Sequence, residues 1–368
     1  MKVLIISPTN NSLNGYGNIT HELASFLATK VDLTVLLPIN EPRLKNLKYK
    51  VDYCLPNYIS TAKNLQMLSY LSYSYKADVN IIHSLFEFPY DFLAARVALQ
   101  NKSKLVVGAQ GTFAVTPSLK WPEKYLVKWV YDHANAIVVP SVFTMEKLVQ
   151  ITRTKTPVTV IHNGVNFDRF QKKIPPNKQY KDKLVFLTVG GLKNRKGQDL
   201  VIKALSKVRG KLPPFTYLIV GKGSWEDYLS RLAKDLKIAD KVIFLGEKNG
   251  NELVSIYKSA DIYIHTPRMV NWNFEGFGIV YLEASACHKP IISTDSGGIR
   301  DAVIANKTGL IVPENDENGL EEAILTLANN HHLRKSLGEN GQKYAKAHDW
   351  SKIGQQFINL YENIIKYD

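Results

Sequence analysis

EGFGIVYLE, residues 275–283, is the stretch in which a loop gives way to a buried helix. Residues 271–278 are loop-like, whereas the apolar residues from Ile279 to Cys287 predict a helix that begins near Phe277. The first amide groups of a helix have no partner inside it and carry the positive end of its dipole, so they can bind phosphate or sugar oxygens. The glycines of the stretch let a ligand approach the backbone closely.

Two carboxylates flank this helix start. Glu275 precedes the helix and Glu283 lies about two turns into it, on an apolar segment where a carboxylate needs a polar partner. The pair is too far apart to share one proton and is spaced to hydrogen-bond opposite ends of an elongated polyol. The alternative is that Glu275 caps the helix and Glu283 is solvated. The apolar flanks and the strand-like run PIIS at 290–293 favour the polyol site.

From these residues the chain resembles the retaining glycosyltransferases of family 4, whose mark is two glutamates separated by seven residues, then a strand and a glycine pair. Other segments resemble that family in the same order along the chain: SVFT at 141–144, NGVN at 163–166, GGLKNRKG at 190–197, GKG at 221–223, DSGG at 295–298 and KTGLIVP at 307–313. The resemblance implies an α/β protein of the GT-B fold, with two doubly wound Rossmann-like domains facing across a cleft.

The resemblance also implies a donor site. Arg195 and Lys196 would stabilise the charge that builds on a diphosphate leaving group, with Glu275 as the third catalytic residue. Glu283 would hold the ribose hydroxyls and Glu275 the sugar hydroxyls. The expected donor-site residues are Gly15, Gly17, Gly190, Gly191, Arg195, Lys196, Gly221, Glu275, Gly276, Phe277, Gly278, Ile279 and Glu283. No metal ion and no cofactor are expected.

Two positions depart from the family pattern. The family usually has Arg at the position of Gly191, so the glycine removes one expected phosphate contact. The family usually has His at the position of Gln110. The expected acceptor-side residues are His83, Gln110 and Gly111. His83 ends the predicted third strand, and its alternative interpretation is a structural histidine. The loop NGYGN at 14–18 follows the first strand and is expected to bring Gly15 and Gly17 near a phosphate or an acceptor.

The rhythm of short buried strands and helical patterns predicts two domains. A polar, proline-rich linker at 172–178 interrupts that rhythm, which restarts at residue 184. We therefore expect an acceptor-side domain at 1–173 and a domain at 174–349 that binds the nucleotide-sugar donor. By resemblance, the amphipathic helix at about 350–368 packs back on the first domain. Ligands of open α/β sheets bind beyond the carboxyl ends of the strands, where the motifs fall.

Composition indicates a cytoplasmic protein with a basic surface. The chain has 368 residues, two cysteines without metal-ligand spacing and a net charge of +14. Its N-terminal apolar run is too short for a signal peptide, and no segment is long enough to cross a bilayer. Residues 1–173 hold 20 Lys and Arg against 11 Asp and Glu, so the predicted acceptor-side domain carries +9 of the charge.

One helical pattern in that domain combines aromatic and cationic side chains: Trp121, Lys124, Tyr125, Lys128 and Trp129. Such a surface suits anionic lipid head groups and predicts a peripheral position on the inner face of the plasma membrane. The alternative is that the aromatic residues face the core and the lysines are solvated. Nucleic acid is not an expected partner, because the basic residues are dispersed and no binding motif is present.

The predicted function is a metal-independent, retaining hexosyltransferase. It would move a hexose from a nucleoside-diphosphate sugar, with UDP favoured over GDP-mannose, to a lipid-linked or saccharide acceptor in surface polysaccharide or glycolipid biosynthesis. A phosphorylase-like enzyme of the same architecture would need pyridoxal phosphate on a lysine and a longer chain. The alternative outside enzymes is a carbohydrate- or nucleic-acid-binding scaffold that kept the fold without its activity.

Overall fold

The computed structural model describes residues 1–11, 15–57, 75–76, 78–86 and 88–366. The chain forms two compact units. Unit 1 comprises Met1–Asn163 together with Trp350–Asp368, and unit 2 comprises Gly164–Asp349. Within the described residues, no helix is both long enough and apolar enough to span a membrane.

Unit 1 is built on a parallel sheet whose described strands follow the order β3-β2-β1-β4-β5-β6-β7. The order reverses between β1 and β4, which makes that position the topological switch point of the sheet. The strands are β1 (Lys2–Ile6), β2 (Asp32–Pro38), β3 (Lys50–Leu55), β4 (Ile81–Ser84), β5 (Lys104–Gly108), β6 (Ala136–Val139) and β7 (Val158–Val160). The helices are α1 (Gly15–Leu27), α2 (Tyr90–Asn101), α3 (Thr112–Val115), α4 (Glu123–His133), α5 (Val142–Thr152) and the C-terminal helix (Trp350–Lys366).

The C-terminal helix belongs to unit 1 because its apolar face is buried there. Ile353, Phe357 and Tyr361 are buried along that face. Gly354 lies so close to the ring of Phe26 in α1 that a Cβ at this position would collide with it. A glycine therefore lets the two helices approach closely, and any larger residue would separate them.

Three sequence expectations for unit 1 differ from the structure. The edge strand β3 was not predicted, because its side chains alternate between exposed and half-buried and its start lies in a basic run. The third predicted strand, at 79–82, is observed at Ile81–Ser84. Gly15 and Gly17 were expected in a loop, but α1 already begins at Gly15. Asn14, from the same expected loop, lies outside the described residues.

Unit 2 has a second parallel sheet, whose described strands follow the order β10-β9-β8-β11-β12-β13. Its order reverses between β8 and β11. The strands are β8 (Leu184–Val189), β9 (Phe215–Val220), β10 (Val242–Gly246), β11 (Ile262–His265), β12 (Ile291–Thr294) and β13 (Gly309–Val312). The helices are α6 (Phe167–Gln171), α7 (Gln198–Val208), α8 (Glu226–Asp235), α9 (Gly250–Ser259), α10 (Ile279–Ala286), α11 (Glu317–Asn329) and α12 (His331–Ala347).

The two units divide between Asn163 and Gly164, earlier than the expected boundary after residue 173. Backbone and core contacts explain the difference. The Val165 amide donates to the His348 carbonyl at 2.9 Å, and the Phe167 amide donates to the Asp349 carboxylate at 3.1 Å. Phe170 is buried in the core of unit 2. The proline-rich linker at 172–178 interrupts the regular succession of strands and helices. The contacts nevertheless place residues 164–171, which precede it, in unit 2.

Candidate active site

A basic turn lies at the carboxyl end of β8. The turn Asn194–Lys196 is a short 3-10 helix that immediately precedes α7, so Arg195 and Lys196 stand beside a helix N-terminus. Gly190 leads from the strand into this loop, and its amide donates to the Val220 carbonyl at 2.9 Å. A Cβ at Gly221 would collide with the Gly190 carbonyl. Glycine at position 221 therefore allows the ends of β8 and β9 to approach closely.

Glu275 joins the two cations of that turn. The Lys196 Nζ lies 2.5 Å from Glu275 Oε2, and the Arg195 guanidinium lies 3.2 Å from the same oxygen. The side chains of Lys196 and Glu275 are each only 14% exposed. One carboxylate oxygen therefore accepts from two cations in a largely desolvated place, where charge interactions are stronger than in water.

The pKa values of Glu275 and Lys196 are both lowered, for different physical reasons. Burial opposes ionisation of the Glu275 carboxyl, but the charges of Lys196 and Arg195 outweigh burial and lower its pKa to about 2. Burial also lowers the pKa of Lys196, with Arg195 acting in the same direction, and the Glu275 carboxylate opposes that shift. The geometry supports the low pKa of Glu275, because its carboxylate accepts from two donors. At neutral pH the Glu275 carboxylate is therefore ionised.

The glycine pair after β12 fixes the loop that carries Glu275. The Gly298 amide donates to the Glu275 carbonyl at 2.8 Å. Gly297 has a left-handed φ of 61°, and a Cβ there would collide with the same carbonyl. Any other residue at position 297 would push the Glu275 backbone away. The glycine pair thus follows β12 at the position where its backbone contacts the Glu275 carbonyl.

The helix after Glu275 begins slightly later than the sequence predicts. Helix α10 starts at Ile279, and Gly278 precedes it with a left-handed φ of 88°. Phe277, expected near the helix start, is buried in the core of unit 2, and its ring centroid lies 6.5 Å from that of His348. Gly276 and Gly278 therefore flank an anchored side chain, in a glycine-rich turn that leads into α10.

Glu283 is buried on α10, and its polar partner is Tyr257 of α9. The Tyr257 hydroxyl donates to Glu283 Oε2 at 2.7 Å. Burial, followed by the charge of Glu283, raises the pKa of Tyr257 well above its usual range. The carboxylate on this apolar helix therefore has a polar partner, as the sequence predicts. Sequence analysis did not find Tyr257, because it lies 26 positions from Glu283 on another helix.

His265 ends β11 and is fully buried. Burial, followed by the charge of Lys196, lowers the pKa of His265 to about 3, so the imidazole is neutral. Both of its ring nitrogens lack a hydrogen-bond partner among the described residues. The nearest atom to a Cβ built at Gly190 is the His265 Cε1, at 3.9 Å, so the imidazole lies against the loop that follows β8.

The expected residues of unit 1 occupy different environments. The His83 Nδ1 lies 2.6 Å from the Tyr361 hydroxyl, and burial lowers the pKa of His83 to about 3. Gln110 follows β5 and accepts a hydrogen bond from the Asn163 amide group at 3.3 Å. Gly111 has a left-handed φ of 66° and precedes α3. The structure thus puts Gln110 and Gly111 at the carboxyl edge of the sheet, whereas His83 lies in its core.

Another glycine of unit 1 is required by packing. A Cβ at Gly17 would collide with the backbone of Asn11, while one at Gly15 would meet no atom within 4 Å. Gly17 therefore lets the first turn of α1 lie against the segment after β1.

Throughout the described ranges, no group of three or more His, Cys, Asp or Glu side chains is arranged to hold a metal ion.

The aromatic residues of α4 and of the turn before it differ in exposure. Trp121 is 77% exposed and Tyr125 is 60% exposed. Trp129, in contrast, packs on Phe92, with ring centroids 5.6 Å apart. Lys124 and Lys128 are exposed as well. We call Trp121, Lys124, Tyr125 and Lys128 the basic aromatic surface.

Comparison with known proteins identifies the family. Residues 13–169 match Glycosyltransferase Family 4, and residues 169–344 match Glycosyl transferases group 1. An uncharacterized glycosyltransferase of Methanocaldococcus jannaschii is 30% identical over 312 residues, which is 82% of this chain and 83% of the relative. A GDP-mannose-dependent monoacylated alpha-(1-6)-phosphatidylinositol monomannoside mannosyltransferase of Corynebacterium glutamicum is 28% identical, covering 75% of this chain and 74% of the relative.

Among solved structures, Anabaena HepE in complex with UDP aligns with a TM-score of 0.82 at 18% identity, covering 99% of this chain and 100% of that one. This likeness concerns the fold, and it agrees with the two parallel-sheet units described above. The predicted family and fold class are confirmed. The chain belongs to the family 4 glycosyltransferases and has the GT-B fold.

Proposed function

We propose that this glycosyltransferase is a retaining hexosyltransferase that uses a nucleoside-diphosphate sugar. One observation carries the proposal: Lys196 and Arg195 converge on Glu275 at the carboxyl edge of a parallel sheet, beside the start of α7. Two cations at that edge suit a diphosphate, and a carboxylate between them suits sugar hydroxyls. The UDP complex of Anabaena HepE and the GDP-mannose dependence of the Corynebacterium relative support the two donor classes. We favour UDP.

In the proposed reaction, the bond between the anomeric carbon and the β-phosphate oxygen breaks. The acceptor hydroxyl oxygen bonds to the anomeric carbon from the same face, and its proton passes to the departing phosphate oxygen. Lys196 and Arg195 stabilise the negative charge that builds on that phosphate. An ionised carboxylate can accept about four hydrogen bonds, so Glu275 can hold sugar hydroxyls while it still pairs with Lys196.

We further propose that the transfer needs no divalent metal, because the two cations of the basic turn supply the charge at the leaving group. Glu283, oriented by Tyr257, would hold the ribose hydroxyls from the interior of α10. Unit 1, with Gln110 and Gly111 at its sheet edge, would receive a lipid-linked or saccharide acceptor. The products would be surface polysaccharide or glycolipid.

The donor is tested by thermal unfolding and calorimetry with UDP, GDP, ADP and the matching nucleosides. A ligand at a hundred times its Kd stabilises the folded protein by about 2.7 kcal/mol, and we expect the largest shift with UDP and none with uridine. Incubation with the matching sugars should release nucleoside diphosphate at a rate that EDTA leaves unchanged. NMR of the product should show a retained anomeric configuration. If millimolar concentrations of all three diphosphates leave the unfolding temperature unchanged, the non-catalytic scaffold becomes the better interpretation.

The basic aromatic surface supports a membrane-bound setting for this reaction. An exposed Trp and Tyr beside two exposed lysines provide both interfacial aromatic rings and charge for anionic head groups. We propose that this surface holds the enzyme at an anionic membrane where a lipid-linked acceptor resides. Sedimentation with vesicles of anionic lipid at low salt is the measurement, and vesicles of neutral lipid are the control.

A further inference from the structure

The segment that follows β11 holds the basic turn in place. The Arg268 amide donates to the Arg195 carbonyl at 2.9 Å, and the Arg268 Nε donates to the Asn194 carbonyl at 3.2 Å. Two donors of one residue thus fix the backbone of the turn that presents Lys196 and Arg195. Neither contact involves the side chains of those two cations, so Arg268 acts on the backbone that carries them.

The guanidinium of Arg268 also joins this turn to the rest of unit 2. It forms an ion pair with Asp199, in the first turn of α7, and donates to the Asn315 side chain at 3.3 Å. The side chain of Arg268 is 18% exposed and that of Asp199 is 5% exposed. Three nitrogens of the guanidinium are therefore engaged with protein, and its charge is neutralised by Asp199. These contacts use three of the five N–H donors of the guanidinium.

The other end of the turn is held by the same segment. Gly197 has a left-handed φ of 73°, and a Cβ there would collide with the Thr266 carbonyl. The Thr266 hydroxyl donates to the Gly197 carbonyl at 2.8 Å. Residues 194–197 are thus bounded on both sides by Thr266 and Arg268. The turn is a single short 3-10 helix between β8 and α7, so contacts from another segment contribute to its one defined conformation.

We propose that Arg268, paired with Asp199, is a positioning residue of the donor site. It holds the turn so that Lys196 and Arg195 converge on one point, where the diphosphate of a nucleoside diphosphate binds. The inference rests on the proposed function for the identity of that ligand. It adds a residue to which the proposed function gives no role. Arg268 acts through Lys196 and not by contact with phosphate.

A double-mutant cycle on UDP binding tests this inference. The proteins are the wild type, Arg268→Ala, Lys196→Ala and the double variant, with Kd measured by calorimetry for UDP and GDP. If Arg268 acts by positioning Lys196, Arg268→Ala should weaken binding at least about tenfold in the wild-type background and less than about twofold in the Lys196→Ala background. Equal weakening in both backgrounds would mean that Arg268 does not act through Lys196, and it would overturn the inference.

A matched control lies at the other end of the same helix. Lys207, in the last turn of α7, pairs with Glu317 at 2.8 Å and is half exposed. Lys207→Ala removes an ion pair of α7 without touching the basic turn, so its Kd for UDP should equal that of the wild type. A Kd that rises as much in Lys207→Ala as in Arg268→Ala would show a general loss of helix stability and refute a positioning role.

Folding is controlled separately, because breaking a buried ion pair leaves an unpaired charge. Arg268→Lys keeps the charge beside Asp199 but loses the planar fork that reaches Asn194 and Asn315. If Arg268→Ala does not fold, Arg268→Lys enters the cycle, with weakening expected only where Lys196 is present. Wild-type binding of UDP or GDP with an unchanged Kd in the Arg268 variants overturns this inference alone. Failure of the wild type to bind any nucleoside diphosphate overturns the proposed function and, with it, the inference.

Discussion

Each unit has a histidine in the strand across the switch point of its sheet, and the two histidines have different neighbours. His83 lies in β4, which pairs with the first strand of unit 1, and His265 lies in β11, which pairs with the first strand of unit 2. Both are buried, and burial lowers the pKa of each to about 3. His83 has the Tyr361 hydroxyl as a partner, whereas neither ring nitrogen of His265 has one within the described part of the chain.

The difference shows that the sheet determines the burial of each histidine, whereas the elements packed around it determine its polar neighbours. Position in the sheet buries both imidazoles and keeps them neutral. In unit 1 the C-terminal helix supplies the uncharged Tyr361, so the histidine is held in a neutral core. In unit 2 the loops after β8 and β11 supply Lys196, Arg195 and Glu275, so the histidine borders a charged cluster. Equivalent strands therefore serve packing in one unit and a candidate active site in the other.

Removing the central cation of unit 2 should have the largest effect. Lys196→Ala should weaken UDP binding and reduce sugar transfer by about a hundredfold or more, because in the proposed reaction Lys196 stabilises charge at the leaving group. Calorimetry and a nucleotide-release assay measure the two quantities. Lys335→Ala, which alters an exposed lysine of the same unit, is the control. An unchanged affinity together with an unchanged rate would remove Lys196 from the site.

The two glutamates should separate turnover from affinity. Glu275→Gln should lower turnover by about a hundredfold, since it removes the carboxylate that pairs with both cations and that we propose orients the sugar. It should not weaken UDP binding, because the carboxylate no longer competes with phosphate for Lys196. Glu283→Gln should instead weaken UDP binding by about tenfold through lost ribose contacts. Equal changes of Kd in both variants would contradict this division of roles.

The two histidines should give different responses to pH and to substitution. A folded pKa of about 3 lies below the unfolded value of about 6.5, so the unfolded chain binds more protons between these values. Stability should therefore fall as pH drops from about 6.5 towards 3. His83→Gln and His265→Gln should each reduce that dependence by up to about 1.4 kcal/mol per pH unit.

At pH 7 the same two variants should differ from each other. His83→Gln should destabilise unit 1 by about 1 kcal/mol, because Tyr361 loses its partner, whereas His265→Gln breaks no hydrogen bond seen among the described residues. Urea unfolding at pH 7, 5 and 4 measures both effects. A larger loss at pH 7 for His265→Gln than for His83→Gln would reverse the comparison between the units.

The smallest expected effect concerns the surface of unit 1. Lys124→Ala should weaken retention on anionic vesicles by about fivefold, the contribution of one cation near a charged membrane. Raising the salt above 0.1 M, where the Debye length is about 10 Å, should release the wild type as well. Lys335→Ala in unit 2 should leave retention unchanged. If the wild type does not sediment with vesicles at low salt, the positive charge of unit 1 has another role.

Local pattern was sufficient for most of the architecture. Runs of buried apolar residues predicted the strands of both sheets except β3, whose polar alternation carries a weaker signal. The glutamates of 275–283 and the pair Arg195-Lys196 were found because a helix start, a strand end and glycines have recognisable local composition. The pairing of Glu283 with a polar group also followed from sequence, since a carboxylate in an apolar helix must be satisfied.

By itself, then, the sequence determined the family, the two parallel sheets and the segments that bear the charged residues. Tertiary structure alone decided which groups meet. Glu275 pairs with Lys196, 79 positions away in the chain, and Arg268 donates a hydrogen bond to the basic turn from another loop. It also decided that Trp121 faces solvent while the half-buried Trp129 packs on Phe92. Secondary structure follows from periodicity over a few residues, whereas partners depend on how segments distant in the chain pack.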